Sequence, residues 1–310
     1  MTFVCMICKG QSAELCQMKD AKDGQPIEIA LCDCCGHLQL AKVPDPQELR
    51  AFYSTEYRKA YRKADAPKPR HVFRAGRNAR ARLGRILQHV AKGTRTLDIG
   101  AGGGEFVYLG NRAGLSITGI DPASGYLDHA RTHYAVELRG IGMDDLARDE
   151  RYGLITLFHV LEHLPDPVAA IAKIADHLED GGLLYLEVPD LCARDTSPSN
   201  LWFKAHLSYF TEATLRLLVE NRFEVLEAAS GRVLEMILQK RPVLQPIADL
   251  PARQIEAVAL SRRRMHEKTF GEYLLHGGLT SPIVSIIRIV QEMRGTWGRT
   301  PDKILDTFTV

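Results

Sequence analysis

The 310 residues are 45% hydrophobic and 25% charged, with a formal net charge of +2. That is long enough for one core of roughly 150–200 residues plus a smaller second unit, and it holds no run of about 18 apolar residues to span a bilayer. So small a charge provides no broad phosphate-tracking surface, and nucleic acid is not expected as a partner.

Met1-Thr2-Phe3-Val4-Cys5 lacks the basic start and long apolar stretch of a secretory leader, so the expected location is a reducing cytoplasm. The cysteines crowded into the first 35 residues are then not expected to form disulfides. Cys5-x-x-Cys8 and Cys32-x-x-Cys35 stand 23 residues apart. Two thiolate pairs at that spacing place four sulfurs tetrahedrally around zinc, and with no position left for water the ion is structural. Gly10 and Gly36 follow the pairs and supply turns that aim backbone amides at the sulfurs. Cys34 adjoins a ligand, while Cys16 and Cys192 read as ordinary thiols.

Pro44-Asp45-Pro46 marks an edge, giving a zinc ribbon over 1–45 and a cap and linker over 46–92. Apolar residues from Val72 to Val90 recur among arginines and predict an amphipathic helix over 71–90 ended by Gly93. Arg70, Arg74 and Arg77 lie on one face; a solvated face is the default, and a clamp on a diphosphate the sharper option. Thereafter strands at 96–99, 116–120, 136–139, 154–160 and 183–188 alternate with helices at 104–113, 124–134 and 167–178. A further helix at 212–221 precedes a hairpin, 223–229 with 232–239 around Ser230-Gly231. This is α/β grammar, a seven-stranded, mostly parallel Rossmann-like sheet over 93–241. Past Pro242 a helical extension over 242–310 carries two helical stretches, about 252–275 and 282–294, expected to serve a homodimer.

The first core strand stops at Leu97-Asp98-Ile99-Gly100-Ala101-Gly102-Gly103-Gly104-Glu105-Phe106. Glycines there let the backbone turn sharply and approach a ligand, as they do for dinucleotides as well. Two details favour S-adenosylmethionine (SAM). Gly104 falls one position early for a dinucleotide fingerprint, and Asp98 suits the methionyl ammonium but repels a pyrophosphate. Asp121, at the end of the next strand, is placed to accept both ribose hydroxyls. Gly100, Ala101, Gly102, Phe106 and Pro122 complete the expected cofactor contacts.

With these residues the stretch 93–240 resembles the class I SAM-dependent methyltransferases. The resemblance implies that Met143 and Asp144, in Gly142-Met143-Asp144-Asp145-Leu146, lie beside the adenine. It also makes His159-Val160-Leu161-Glu162-His163 the counterpart of the segment that follows the fourth strand in many small-molecule methyltransferases, with His159 facing the cofactor or the pocket and Glu162 a candidate for a chemical role.

Leu31–Leu40 and Tyr53–Tyr57 are similar to the N-terminal zinc domain of the nucleotide-sugar C-methyltransferases, and His206-Leu207-Ser208-Tyr209-Phe210 matches a segment of that family. The resemblance implies His206 as the candidate base; Tyr209, with Tyr53 and Tyr57 from the cap, is expected to line the acceptor pocket, and Trp202 and Phe203 to form its apolar wall. Where that family has a glutamate and a tyrosine that assist enolisation, this chain has Ala205 and Phe203, which directs the expectation to oxygen rather than carbon. The expected acceptor is a small molecule, a sugar or nucleotide-linked sugar. Two other readings stay open. One is a non-catalytic, metal-organised binding or partner protein on a degenerate methyltransferase fold. The other is an RNA methyltransferase, disfavoured because no Asn/Asp-Pro-Pro-Tyr-type motif follows the fourth strand.

Overall fold

The computed structural model describes residues 3–44, 67–122 and 126–309. Tyr53 and Tyr57 lie outside them. In chain order the elements that place the site are β1 (Ala13–Lys19), β2 (Pro26–Cys32), β3 (Leu38–Leu40), α1 (Pro69–Ile86), β4 (Arg95–Ile99), α2 (Glu105–Arg112), β5 (Ser116–Ile120), α3 (Leu127–Tyr134), β6 (Leu138–Arg139) and β7 (Tyr152–Phe158). They continue with α4 (Pro167–His177), β8 (Leu178–Pro189), β9 (Ser208–Tyr209), α5 (Glu212–Val219), β10 (Phe223–Ser230), β11 (Val233–Lys240), α6 (Leu250–Glu267), α7 (Phe270–Tyr273), α8 (Ser281–Thr296) and α9 (Pro301–Leu305).

Seven strands form one sheet in the order β10-β11-β8-β7-β4-β5-β6. The pairs β4·β5, β4·β7 and β5·β6 are parallel, while β11 runs antiparallel to both β8 and β10, so the sheet is α/β and mostly parallel. Its central strands carry continuous apolar runs because both faces are covered: Leu97, Ile155 and Leu157 are fully buried, and Ile99 nearly so. The Ser230-Gly231 hairpin stands where the alternation places it, with Ser230 paired to Leu234.

The chain forms two compact units. One comprises Met1–Pro44, Phe158–Asp176 and Leu183–Ser281; the other comprises Asp45–Leu157, His177–Gly182 and Pro282–Val310.

Several elements differ from the sequence pattern. The fourth core strand ends at Phe158, so His159 lies outside it, in the left-handed region at φ 56°. The strand expected at 136–139 shrinks to Leu138–Arg139, held by two pairings with β5. The helix expected over 252–275 stops at Glu267: Lys268 is extended, and the Thr269 hydroxyl caps a new turn by accepting the Glu272 amide at 3.1 Å. Thr269-x-x-Glu272 is the local signal for that break. Among the described residues no single helix is long and apolar enough to cross a membrane.

In the second unit one arginine of α1 has a structural use. Arg74 grips the buried Glu292 of α8 with two hydrogen bonds, Nε to Oε1 at 2.5 Å and Nη2 to Oε2 at 2.9 Å. In the first unit β1, β2, β3 and β9 make a separate four-stranded antiparallel sheet, with Leu38 opposite Tyr209 and Gln39 opposite Ser208. A two-residue strand gives no periodic signal, so sequence reading leaves 208–209 in a loop.

The cysteine knuckles sit in a core shared with Leu217 of α5 and Ala257 of α6. Gly36, at φ 73°, brings them close: a Cβ there would stand 2.5 Å from the Ala257 carbonyl carbon. Gly36→Ala combines left-handed strain with a backbone clash and is expected to cost about 3 kcal/mol or more, read as a lower urea midpoint. An unchanged midpoint would mean that α6 gives way freely.

Candidate active site

One group of expected site residues lies in the second unit. β4 and β5 end level, Ile99 opposite Ile120, and the chain leaves β4 through Gly100, Gly102 and Gly104 at φ 76°, 55° and 81°. Three left-handed positions in five residues are open to glycine and costly for other side chains, which explains the composition of the loop. The Gly100 and Ala101 amides donate to the Ile120 carbonyl at 2.8 and 3.0 Å, and the Gly102 amide donates to Asp121 Oδ2 at 2.9 Å. The loop is thereby tied to the tip of β5 and orients the carboxylate expected to take the ribose. Phe106 and Ala101 are buried beneath it. Pro122 directly follows Asp121. Met143 and Asp144 form a short helical turn, Met143–Asp145, in which the Gly142 amide donates to Asp145 Oδ2 at 3.0 Å.

Asp98 is 3% exposed, and its Oδ1 accepts the Thr156 hydroxyl at 2.7 Å. Burial pushes its carboxyl up to about 7 despite that hydrogen bond. A carboxyl whose charge is opposed chiefly by burial would gain from an ammonium partner, in line with the expectation for Asp98. The unfolded carboxyl ionises above about pH 4. The folded one keeps its proton to about 7, so the folded state binds more protons in between. Stability therefore falls as pH rises from about 4 to about 7, by up to roughly 4 kcal/mol, and levels off above. Asp98→Asn is expected to flatten that slope in urea titrations at pH 5 and pH 8; an unaltered slope would assign it to other groups.

Another group lies in the first unit, where Leu161–His163 forms a single helical turn. The exposed His159 ring stands between two carboxylates, Nε2 at 2.9 Å from Glu187 and Nδ1 at 3.5 Å from Glu162. The surrounding protein works against its charge, yet the two carboxylates prevail and push it up to about 9. Glu162 is 1% exposed. Desolvation would raise its carboxyl, but His159, His163 and His206 hold it below the usual range.

His163 Nδ1 lies 2.8 Å from the Ala205 carbonyl, and the Glu162 carbonyl accepts the Leu207 amide at 2.7 Å, so the turn and the segment after β8 are stitched together. The half-buried His206 ring packs 5.0 Å from that of His163 and 5.1 Å from that of Phe203, and burial pushes its imidazole down to about 4. The Tyr209 hydroxyl donates to the Phe203 carbonyl at 2.7 Å and receives the Phe203 amide at 3.1 Å, closing the 203–209 loop, while Trp202 packs on its ring at 4.9 Å. Sequence reading missed Glu187 and Thr156. A lone acid inside the apolar run Leu183–Val188 was the available signal for the first.

In the same unit Cys5, Cys8, Cys32 and Cys35 bring four sulfurs within 4.8 Å of one another, with Cys5–Cys35 at 3.6 Å and Cys8–Cys32 at 3.5 Å. Tetrahedral zinc–thiolate geometry asks for about 3.8 Å. The Gly10 amide points at Cys8 Sγ from 3.4 Å, as the turn predicts, whereas the Gly36 amide donates to the Cys32 carbonyl at 2.9 Å. Hydrogen bonds from Cys35 and Cys5 hold Cys32 down as the thiolate, the same sharing holds Cys5 and Cys35 up, and burial pushes Cys8 up to about 12. Four thiolates need a cation, so the donor set fits zinc.

Residues 70–228 match the family described as a methyltransferase domain. The chain is 34% identical over 159 residues to the ubiquinone biosynthesis O-methyltransferase of Xanthomonas campestris pv. campestris (strain B100), covering 46% of this chain and 64% of that one. To the protein of the same name from Bordetella avium (strain 197N) it is 35% identical over 101 residues, 30% and 42% of the two chains. It thus spans less than two thirds of the length of these relatives. A crystal structure of Burkholderia thailandensis 1,6-didemethyltoxoflavin-N1-methyltransferase, with bound 1,6-didemethyltoxoflavin and S-adenosylhomocysteine, superposes with a TM-score of 0.50 at 21% identity. It covers 69% of this chain and 95% of that one, a likeness of fold.

Proposed function

The chain belongs to the methyltransferase-domain family, and from that premise we propose that it is a SAM-dependent methyltransferase acting on an oxygen of a small molecule, a sugar or nucleotide-linked sugar. The observation that carries the reading is the carboxylate of Asp121 held by the Gly102 amide beside a loop of left-handed glycines. SAM supplies an electrophilic methyl group on a sulfonium. Asp98 would hold its ammonium, Asp121 its ribose hydroxyls, and Met143 and Asp144 its adenine; Gly100, Ala101, Gly102, Phe106, Pro122 and His159 complete the contacts.

β7 ends level with β4, Leu157 opposite Ile99, and His159 follows two residues later along the chain. A hydroxyl acceptor must lose a proton as the bond to carbon forms. His206 is the candidate base by its place after β8; burial keeps its imidazole neutral but, at about 4, a weaker acceptor than a free histidine, so the charged form needs support in the reaction. Glu162, an anion among three imidazoles, would stabilise the charged ring that results. Tyr209 sets the loop that presents His206. One structural zinc on Cys5, Cys8, Cys32 and Cys35 would hold the ribbon.

The names of the relatives support oxygen as the acceptor atom, and the partial likeness of 206–210 to the sugar enzymes supports a sugar. Calorimetric titration with SAM tests the donor, and mass labelling of small molecules with methyl-labelled SAM tests the acceptor. His206→Ala is expected to lower turnover by about a hundredfold or more with SAM affinity unchanged. No heat of SAM binding to the intact chain would overturn the reading, and full turnover by the variant would overturn the base.

A further inference from the structure

From the side-chain cluster around Glu162 we infer that Glu162, His163 and His206 form a second, open metal site for a divalent first-row ion. One ligand atom from each lies within 4.8 Å of the other two, all within the first unit. Both carboxylate oxygens of Glu162 are buried without a hydrogen-bond partner, the nearest imidazole nitrogens being His159 Nδ1 at 3.5 Å and His163 Nε2 at 3.9 Å. A buried carboxylate is ordinarily satisfied by close donors or by a cation; this one has ion pairs at 3.5 and 3.9 Å and no hydrogen bond at closer range.

His163 is arranged as a ligand. Its Nδ1 faces the Ala205 carbonyl at 2.8 Å, and a carbonyl only accepts, so the proton sits on Nδ1 and the lone pair on Nε2. A ligating histidine is fixed in this way, its second nitrogen donating to a backbone carbonyl. The 2.7 Å hydrogen bond from the Leu207 amide to the Glu162 carbonyl holds the segment bearing His206 against the turn bearing the other two.

One carboxylate and two imidazoles are a borderline donor set, suited to Mn²⁺, Fe²⁺, Co²⁺ or Zn²⁺ and unlike the four thiolates of the ribbon. Three ligands leave positions open, where an acceptor hydroxyl would bind and acidify. That consequence rests on the methyl-transfer reading; the site itself does not. With the ion bound, His206 would be a ligand rather than the base, and the acceptor hydroxyl, acidified by the ion, would give its proton to water.

Mn²⁺ avoids thiolates and so reads this site separately from the ribbon. Protein whose zinc content has been set at one equivalent by elemental analysis is titrated with Mn²⁺, and the free ion is followed by electron paramagnetic resonance. One further equivalent is expected to bind, with affinity falling at least tenfold in Glu162→Gln and in His206→Ala. Mn²⁺ is also expected to raise the wild-type Tm but not that of Glu162→Gln. Without Mn²⁺ that variant should melt lower than wild type, since it loses the ion pair with His159. No additional equivalent, or binding that both variants leave unchanged, overturns the site. SAM calorimetry on the same samples tells the two readings apart: a bound ion lost in the variants, with no SAM heat, upholds the site and sinks only methyl transfer.

Discussion

Asp121→Ala is expected to weaken SAM binding by about two orders of magnitude and to leave the fold in place. Hydrogen bonds to a charged acceptor are worth about 1.5–3 kcal/mol each, and the loss of two ribose hydroxyl contacts removes about 3 kcal/mol, a hundredfold in Kd. A second, smaller effect follows from the structure. The Gly102 amide that donates to Asp121 Oδ2 at 2.9 Å loses its partner, which loosens the loop and costs about 1 kcal/mol of stability. Asp121→Asn separates the two, because an amide oxygen still accepts from Gly102 but takes the ribose hydroxyls more weakly. Calorimetry with SAM and urea unfolding, run on both variants, give the comparison. Equal SAM affinity in wild type and Asp121→Ala would place the ribose elsewhere.

Cys35→Ser, or removal of zinc by a chelator, is expected to unfold the ribbon. A chain of about 40 residues buries too little to fold by itself, and a structural zinc site contributes apparent folding energy of about 10–16 kcal/mol. The damage should extend to residues 202–209. β9 pairs with β3, the Lys204 amide donates to the buried carboxylate of Asp20 at 2.6 Å, and His37 Nε2 lies 3.1 Å from the Ser208 hydroxyl. The ribbon thus holds the stretch on which His206 sits. Hydrogen exchange at residues 202–209 is expected to accelerate together with that at 26–40, while SAM affinity, for which all the proposed contacts but His159 come from the other unit, is expected to stay within about threefold of wild type. Protection at 202–209 that survives metal loss would show that the loop is held by Tyr209 and the Glu162 carbonyl without the ribbon.

Much of the donor side was legible in the sequence because it is local. A loop that needs left-handed backbone at positions 100, 102 and 104 must spend glycines there, and carboxylates at strand ends, Asp98 and Asp121, occur at a spacing that parallel pairing sets. The knuckles were legible for the same reason, since cysteines three apart on one turn are a property of the turn. The register of β7 was not. Apolar residues continue through Val160, and nothing local shows that the chain turns left-handed at His159 to put its ring between Glu162 and Glu187. The break at Lys268 was also missed, although Thr269 and Glu272 carry a capping signal, because the apolar spacing on either side reads as one helix.

The sequence by itself determined the class of fold, the four-cysteine cluster and the left-handed glycine loop, all of which follow from backbone sterics and short-range spacing. Only the tertiary structure decided what surrounds His206. It brought residues 162, 163, 187 and 206 into one cluster, set the imidazole at 206 low and that at 159 high, left the Glu162 carboxylate without a hydrogen bond, and bound the ribbon to the 202–209 loop through β3 and β9. Burial and charge at a site are sums over groups far apart in the chain, and no local pattern encodes such a sum.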